Sequence, residues 1–300
     1  AGQQLAVTMI RADSNLNDTD SIQDIWAQPI PPYTLASHSV SIELRDESGR
    51  FNINNLYQDG SANTTALAVL QRLLTQLNLE PDIAIAILDW QDADGEVYQD
   101  GGDESTVYAQ QSNAVATDAL PNQPFVSIDQ LLEVTGVSAE TLAVLRPYLT
   151  AVPYYVPINI NTASPVLLAA LMDGANSQQM QSLVDMRAQQ ALTSIDAVWQ
   201  LPIFGSVNDE QRKALTPMLA VDSQAFMALI TATDNATVGQ ARERFATVLI
   251  SKTVVDNNQA VNSSQTANNN QASNSSGVDG KMPKEVKVVT QRLWAFRPSF

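Results

Sequence analysis

Cysteine is absent from the 300 residues, and histidine occurs once, at position 38. A chain without cysteine forms no disulfide and no thiolate metal site. A single histidine removes almost every histidine-based catalytic or zinc-binding scheme, so His38 is expected to be a surface or packing residue. The sequence also contains no run of 18 apolar residues, so the chain as given has no transmembrane helix signal.

Positive charge is scarce and unevenly distributed. The formal net charge is −16 and the isoelectric point is near 4.2, which argues against binding a polyanion such as nucleic acid. Between Leu73 and Leu145 there is no Lys or Arg, while 13 Asp and Glu occur. Carboxylates crowded in this way repel one another, so a folded chain must leave them in water or neutralise them with a cation.

The densest acidic stretch, residues 89–96 with sequence DWQDADGE, predicts a calcium site. Residues 101–104, GGDE, follow it closely and can return further oxygen ligands after a glycine turn. Ca²⁺ prefers carboxylate and carbonyl oxygens. The pattern is similar to the start of an EF-hand, but no glutamate stands at the EF-hand spacing. The candidate ligands are Asp89, Asp92, Asp94, Asp103 and Glu104. The alternative is an acidic loop that is simply solvated.

Catalysis is not expected from this sequence. Asp92 and Asp94 have the chemistry for acid–base work, but carboxylates clustered on a glycine-rich loop more often bind metal or face solvent. No nucleophile–base pair is readable, and no glycine-rich phosphate loop follows a strand. The chain therefore points to a scaffold rather than to an enzyme.

The order of secondary-structure signals predicts an α+β fold with an inserted helical domain. Strand signals occur near both ends and helix signals in the middle, so the ends are expected to pair with each other. We predict one α+β domain from residues 1–58 and 222–300, and an inserted α-helical domain at 59–221. The predicted elements are a helix at 3–28, strands at 39–46 and 50–56, helices at 64–79 and after Pro81, strands at 225–233, 244–251 and 286–296, and a floppy surface loop at 256–280.

Two segments of the middle region resemble each other. Each places a serine at a helix start, then a glycine turn, then a second helix ending before proline, with Gly136 in one copy and Gly205 in the other. Helix–hairpin–helix motifs of this kind often hold nucleic acid phosphates through two glycines. Here Ser138 stands at the second glycine position and the surroundings are acidic, so we expect a structural helix pair and no nucleic acid partner.

Four markers in this order resemble the general secretion pathway protein K family, the minor pseudopilin K of type II secretion. They are SGRFNINNL at 48–56, ILDWQDAD at 87–94, GDESTVY at 102–108 and ININTA at 158–163. The resemblance covers most of the chain. In the family's acidic loop, Asp89, Asp92, Asp94, Glu104 and Tyr108 match the pattern. Asp103 replaces an alanine, and Ser105 replaces a second acidic residue. The second replacement affects one possible ligand of the family, and whether Asp103 substitutes for it stays open.

The resemblance implies a pilin-like domain, made of an N-terminal helix and an antiparallel sheet, with a large α-helical insertion. It implies calcium in the acidic loop and assembly with minor pseudopilins I and J at the pseudopilus tip. Family members carry an N-terminal leader and an apolar helix, and this chain begins at Ala1 with neither. We therefore expect the periplasmic part of a protein anchored in the inner membrane of a Gram-negative bacterium. The alternative is a periplasmic calcium-binding enzyme or carbohydrate-binding protein.

Overall fold

The computed structural model describes residues 1–104, 106–107, 121–234, 242–254 and 284–300. These residues form two compact units. The sheet unit consists of Ala1–Asp18, Ile25–Leu44 and Phe226–Phe300, and the helical unit consists of Thr19–Asp24 and Arg45–Ala225. The domain boundaries at 58/59 and 221/222 stay a prediction, and the loop expected at 256–280 lies outside the described residues.

The first helix of the sheet unit, α1, spans Gly2–Leu16, so the predicted helix at 3–28 was too long. Residues 15–21, NLNDTDS, are rich in short polar side chains, which bond to nearby backbone groups and compete with the helix. Asn17 has extended backbone angles, and its side chain donates to Asp13 Oδ1 over 3.1 Å. Ala6 and Ile10 of α1 are buried, whereas Leu16 at its end is exposed.

Five strands form the main sheet: β1 Tyr33–Leu35, β2 His38–Asp46, β9 Ala225–Asp234, β10 Arg242–Val254 and β11 Lys284–Trp294. Their spatial order is β1-β2-β9-β10-β11. β1 pairs antiparallel with β2, and β10 pairs antiparallel with β11. The order places β2, from the first part of the chain, beside β9, from the last part, which confirms that the two ends share a sheet.

The core of the sheet unit lies between α1 and the sheet. Ala6 and Ile10 of α1 pack with buried apolar side chains of the strands, including Val248. Trp26 meets Phe226 edge to face, with ring centroids 5.2 Å apart. Gly2 allows α1 to lie close to the sheet, because a Cβ there would come within 2.7 Å of the Ile230 side chain.

Among the described residues, the helical unit contains the remaining α-helices and several two-residue strands around one apolar core. Most of its described α-helices begin at side-chain caps, although the helix at Ile83–Asp89 has no side-chain cap hydrogen bond. Ser164 accepts from the Leu167 N–H, with Pro165 at the first helical position. The α-helices are α2 Thr64–Gln76, α3 Ile83–Asp89, α4 Ala139–Leu145, α5 Pro165–Ala170, α6 Ser177–Gln189, α7 Ile195–Trp199 and α8 Asp209–Leu215. The short strands are β3 Phe51–Asn52, β4 Tyr57–Gln58, β5 Ser61–Ala62, β6 Leu149–Thr150, β7 Ile158–Asn159 and β8 Leu219–Ala220.

The strand predicted at 50–56 is largely wrong. Only β3 is extended, and a 3₁₀ helix follows it at Ile53–Leu56. The Asn52 side chain starts this helix by accepting from the Asn54 N–H. Short asparagine side chains favour such local turns over a continued strand.

The two similar segments each fold as a helical piece, a turn and a helix. In the first copy the opening piece is a 3₁₀ helix at Ile128–Glu133, and in the second it is α7. Gly136 has a φ of +84°, which favours glycine, whereas Gly205 has a φ of −63°. The internal repeat stays a prediction. Among the described residues, none of the helices combines the length and the apolar composition needed to cross a membrane.

Candidate metal centre

The acidic loop begins where a buried apolar helix ends. α3 is almost entirely buried, and its last residue, Asp89, is buried with it. The next residue, Trp90, stacks on Phe125 with ring centroids 5.4 Å apart and an interplanar angle of 14°. Packing of the helix and of this aromatic pair thus holds Asp89 in the interior. The carboxyl end of a helix carries partial negative charge, so a carboxylate there is unfavourable unless a cation is near.

The loop then turns back through its glycines and brings Glu104 beside the helix end. The Val97 N–H donates to the Gly102 carbonyl over 3.0 Å, and the Glu104 N–H donates to the Gly95 carbonyl over 3.1 Å. Gly101 and Gly102 have φ values of +67° and +100°, which side chains with a Cβ rarely adopt. The glycine turn predicted from the sequence is therefore what returns the chain to the site.

Three carboxylates converge at this place: Asp89, Asp92 and Glu104. One oxygen of each lies within 4.8 Å of the others, and the residues are 0%, 5% and 4% exposed. Two oxygens bound to the same Ca²⁺ at about 2.4 Å can be separated by at most about twice that distance. The spacing therefore fits ligands of a single ion.

The electrostatics of the cluster are unfavourable without a cation. Asp92 Oδ1 and Glu104 Oε1 are buried and have no hydrogen-bond partner in the described part of the chain. Burial, and after it the charges of Asp94 and Asp89, together raise the pKa of Asp92 to about 7. The pKa of Glu104 is likewise raised to about 7. Burial is the largest cause, and the charges of Asp89 and Asp92 come next. A bound divalent cation would offset both burial and repulsion.

The donor set fits a hard cation. The converging side chains offer only carboxylate oxygens, which suit Ca²⁺, Mg²⁺ or Mn²⁺ rather than zinc or copper. Three carboxylates leave further coordination positions for backbone carbonyls or water, as the six to eight ligands of Ca²⁺ require. Asp89 also accepts from the Tyr98 N–H over 3.2 Å, which fixes the orientation of its carboxylate.

The other two predicted ligands lie at the rim. Asp94 is exposed, and its Oδ1 accepts from the Glu96 N–H over 2.9 Å. Asp103 is also exposed, and its Oδ1 accepts from the Thr106 N–H and hydroxyl over 2.9 and 2.8 Å. Both are near enough for their charges to raise the pKa of Glu104. Ser105 and Tyr108 lie outside the described residues.

The acidic loop is held in place by further residues, which the sequence indicated only through the family motifs. Asn54 donates to the Phe125 carbonyl and accepts from the Phe125 N–H, each over 2.9 Å. It thereby holds the ring that stacks on Trp90. Gln91 is buried and donates to the Ile53 and Ile87 carbonyls. Composition and residue spacing do not identify a buried asparagine of this kind, so only the FNINNL motif indicated the role of Asn54.

Two models of one protein family match this chain, both described as type II secretion system (T2SS) protein K. They match residues 49–154, which include the whole acidic loop, and residues 158–222. The chain belongs to the T2SS protein K family.

Curated proteins and a solved structure agree with this assignment. The T2SS protein K of Pseudomonas aeruginosa is 27% identical over 206 residues, covering 65% of this chain and 60% of that protein. The T2SS protein K of Klebsiella pneumoniae is 28% identical over 255 residues, covering 80% of this chain and 74% of that protein. A chain in the crystal structure of the GspK-GspI-GspJ complex from enterotoxigenic Escherichia coli shares the fold. The TM-score is 0.71 at 22% identity, over 98% of this chain and 93% of that one.

Proposed function

We propose that this chain is a minor pseudopilin that caps the tip of the type II secretion pseudopilus and serves protein export across the outer membrane. Membership of the protein K family is the observation that carries the proposal. The shared fold with a chain of the GspK-GspI-GspJ complex supports it and suggests the partners, the minor pseudopilins I and J.

The sheet unit suits the pilin-like role. α1 packs through Ala6 and Ile10 onto an antiparallel sheet, which is the arrangement expected of a pilin-like domain. We propose that α1 continues an N-terminal segment that anchors the protein in the inner membrane of a Gram-negative bacterium. The two units would then lie in the periplasm, where α1 packs against helices of the partner subunits.

The role is structural rather than enzymatic. The helical unit is built around a large apolar core, and its bulk would prevent another subunit from adding above it. We propose that this unit forms the cap of the filament. The acidic loop belongs to the same unit, so its order bears directly on the shape of the cap.

Calcium is the cofactor that we propose for the acidic loop. Asp89, Asp92 and Glu104 would hold the ion directly, while Asp94 and Asp103 would attract it from the rim. When bound, the ion supplies only positive charge and coordination, which fix one loop conformation. Metal-stripped protein is expected to take up calcium in equilibrium dialysis, and absence of uptake would contradict this part of the proposal.

Assembly with the partners tests the proposed function. The chain is mixed with purified periplasmic domains of proteins I and J from the same secretion system, and the mixture is analysed by size-exclusion chromatography with light scattering. We expect one peak whose mass is that of a complex containing all three. Separate elution at micromolar concentration in calcium would contradict it. The rival class, a periplasmic calcium-binding enzyme or carbohydrate-binding protein, predicts calcium uptake without this complex.

A further inference from the structure

The last strand of the sheet unit is a long edge strand. β11 has 11 residues, and among the described residues no strand pairs with it on the side away from β10. Such an edge presents backbone N–H and C=O groups that can pair with another chain. Folded proteins usually protect such edges with charges, bulges or covering groups.

The first half of β11 is protected. Arg11 of α1 donates to the Val286 carbonyl over 3.1 Å, which occupies an outward-facing backbone group. Lys287 and Glu285 form an exposed ion pair on the same half. The register then slips between Leu249 and Ile250 of β10, which leaves Val289 as an extra residue on β11. A bulge of this kind ends regular edge pairing.

The second half of β11, residues 290–294, is called the open half because large apolar side chains are exposed beside it. Its Leu293 side chain is 79% exposed, and Phe296 just beyond the strand is 85% exposed. In an antiparallel pair, alternate residues direct their backbone groups away from the partner. Val286, which lies opposite Lys252, is one of these residues, because its carbonyl accepts from Arg11. Every second residue along β10 from Lys252 leads to Val248 and Ala246. Their partners on β11, Gln291 and Leu293, therefore also direct their backbone groups outward.

The C-terminal part of the chain, residues 242–300, carries net positive charge, in contrast to the rest of the chain. Residues 242–300 contain eight of the 16 Lys and Arg but only four of the 32 Asp and Glu. Phe245 pairs with Trp294, so the exposed Arg242 and Arg244 lie at the same end of the hairpin as Leu293. Glu243 stands between these two arginines on β10, but side chains alternate along a strand, so it faces the opposite side of the sheet from both. Glu43 is bound by Arg297, at 2.7 and 3.0 Å.

We propose that an extended acidic segment of a partner pseudopilin adds to the sheet as a sixth strand, beside Gln291–Leu293. The outward backbone groups supply the pairing, Leu293 and Phe296 supply apolar contact, and Arg242 and Arg244 receive the carboxylates of the segment. Strand addition of this type takes its affinity from main-chain hydrogen bonds and its specificity from flanking side chains. The inference rests on the proposed function, since it names the surface by which the partners I and J are recognised.

Binding measurements on variants test this surface, with purified periplasmic domains of proteins I and J as the probe. Leu293→Pro removes the outward N–H, and proline is tolerated where an edge strand faces solvent. Arg244→Glu reverses one charge. Each variant is expected to weaken binding fivefold or more. Leu293→Val keeps the N–H and the apolar side chain, and Lys287→Glu changes the same charge on the protected half, so both controls should stay within threefold of the native chain.

The outcomes separate the two proposals. Native chain that binds neither I nor J contradicts the proposed function itself. If the native chain binds and both Leu293→Pro and Arg244→Glu lose less than fivefold in affinity, only the edge-strand site is overturned. The site is also overturned if Lys287→Glu loses as much affinity as Arg244→Glu. If Leu293→Pro does not fold, amide hydrogen exchange of the native complex decides. Slower exchange at Gln291 and Leu293 supports the site, and unchanged exchange overturns it.

Discussion

Asp92 and Glu104 are brought together by the glycine turn between them, and each buries one carboxylate oxygen that has no hydrogen-bond partner in the described part of the chain. Such an arrangement costs stability in the absence of a cation, because burial and like charge both disfavour the ionised forms. The same arrangement becomes favourable when an ion is shared between the two oxygens. Removing the charge of either side chain is therefore expected to change the stability of the protein in opposite directions with and without calcium.

Neutralising either buried carboxylate should raise stability in chelator and lower it in calcium. In chelator, Asp92→Asn or Glu104→Gln removes repulsion and is expected to stabilise by about 1 kcal/mol, or about 2–4 °C in melting temperature. In saturating calcium, the native chain gains about 3 kcal/mol at one hundred times the dissociation constant, and the variants lose most of this gain. Thermal unfolding in both buffers measures the two effects.

Asp100→Asn is the matched control for this prediction. Asp100 lies on the same loop, is exposed, and is not among the converging carboxylates. Its substitution removes the same charge and should leave both melting temperatures unchanged within about 1 °C. A change in the control equal to that in Asp92→Asn would mean that overall loop charge, rather than the buried cluster, determines the response.

Asn54 should be needed both for stability and for the metal loop. Its side chain pairs with both backbone groups of Phe125 and also donates to the Val152 carbonyl over 2.9 Å. Asn54→Ala leaves these buried groups unpaired, which is expected to cost about 2–4 kcal/mol in the free energy of unfolding. Denaturant unfolding measures the loss. Because Phe125 stacks on Trp90, calcium affinity should fall as well, and an unchanged affinity would separate this asparagine from the site.

Asp46 should make the stability of the chain depend on pH. Its pKa is raised to about 7, chiefly by burial. Hydrogen bonds from the Thr162 and Ser223 hydroxyls lower this pKa in part, and the charge of Asp20 raises it. The folded state then holds a proton that the unfolded state releases near the ordinary value of 3.8. The stabilisation is complete below about pH 4 and is lost as the pH rises through 7, by about 2–3 kcal/mol between pH 5 and 8.

Asp46→Asn isolates this contribution. The amide oxygen can still accept from the Ser48 N–H, which donates to Asp46 Oδ1 over 2.7 Å, and the side chain no longer titrates. The decline in unfolding free energy between pH 5 and 8 should therefore shrink by about 2–3 kcal/mol relative to the native chain. Denaturant titrations at both pH values, all in chelator, provide the comparison. A decline of the same size in native and variant protein would assign the pH dependence to other groups.

Much of the fold could be predicted because its signals are local. The alternating residues of β2 and the apolar runs of β9 and β10 predict strands, and Ser164-Pro165 predicts a helix start. The end of α1 was missed because its apolar spacing continues past Leu16, while the polar side chains that stop it act through backbone hydrogen bonds. The 3₁₀ helix at Ile53–Leu56 was missed for the same reason, since Asn52 starts it through its side chain.

The acidic site could be located from the sequence, but its inner members could not be distinguished. The sequence gives no reason to rank the five candidate carboxylates. Only the packing of the fold distinguishes buried Asp92 from exposed Asp94, two residues later. The position of Asp89 depends on burial of α3, and that of Glu104 depends on the turn through Gly101 and Gly102. Long-range support such as Asn54 with Phe125 joins residues 71 positions apart, which spacing alone does not indicate.

A crystal structure grown in millimolar calcium, with anomalous scattering to distinguish metal from water, tests the metal centre most directly. We expect an ion bound to oxygens of Asp89, Asp92 and Glu104 at about 2.3–2.6 Å, with further oxygen ligands completing six to eight. Ordered water alone beside these three side chains, at a calcium concentration that saturates the protein in dialysis, would contradict the account.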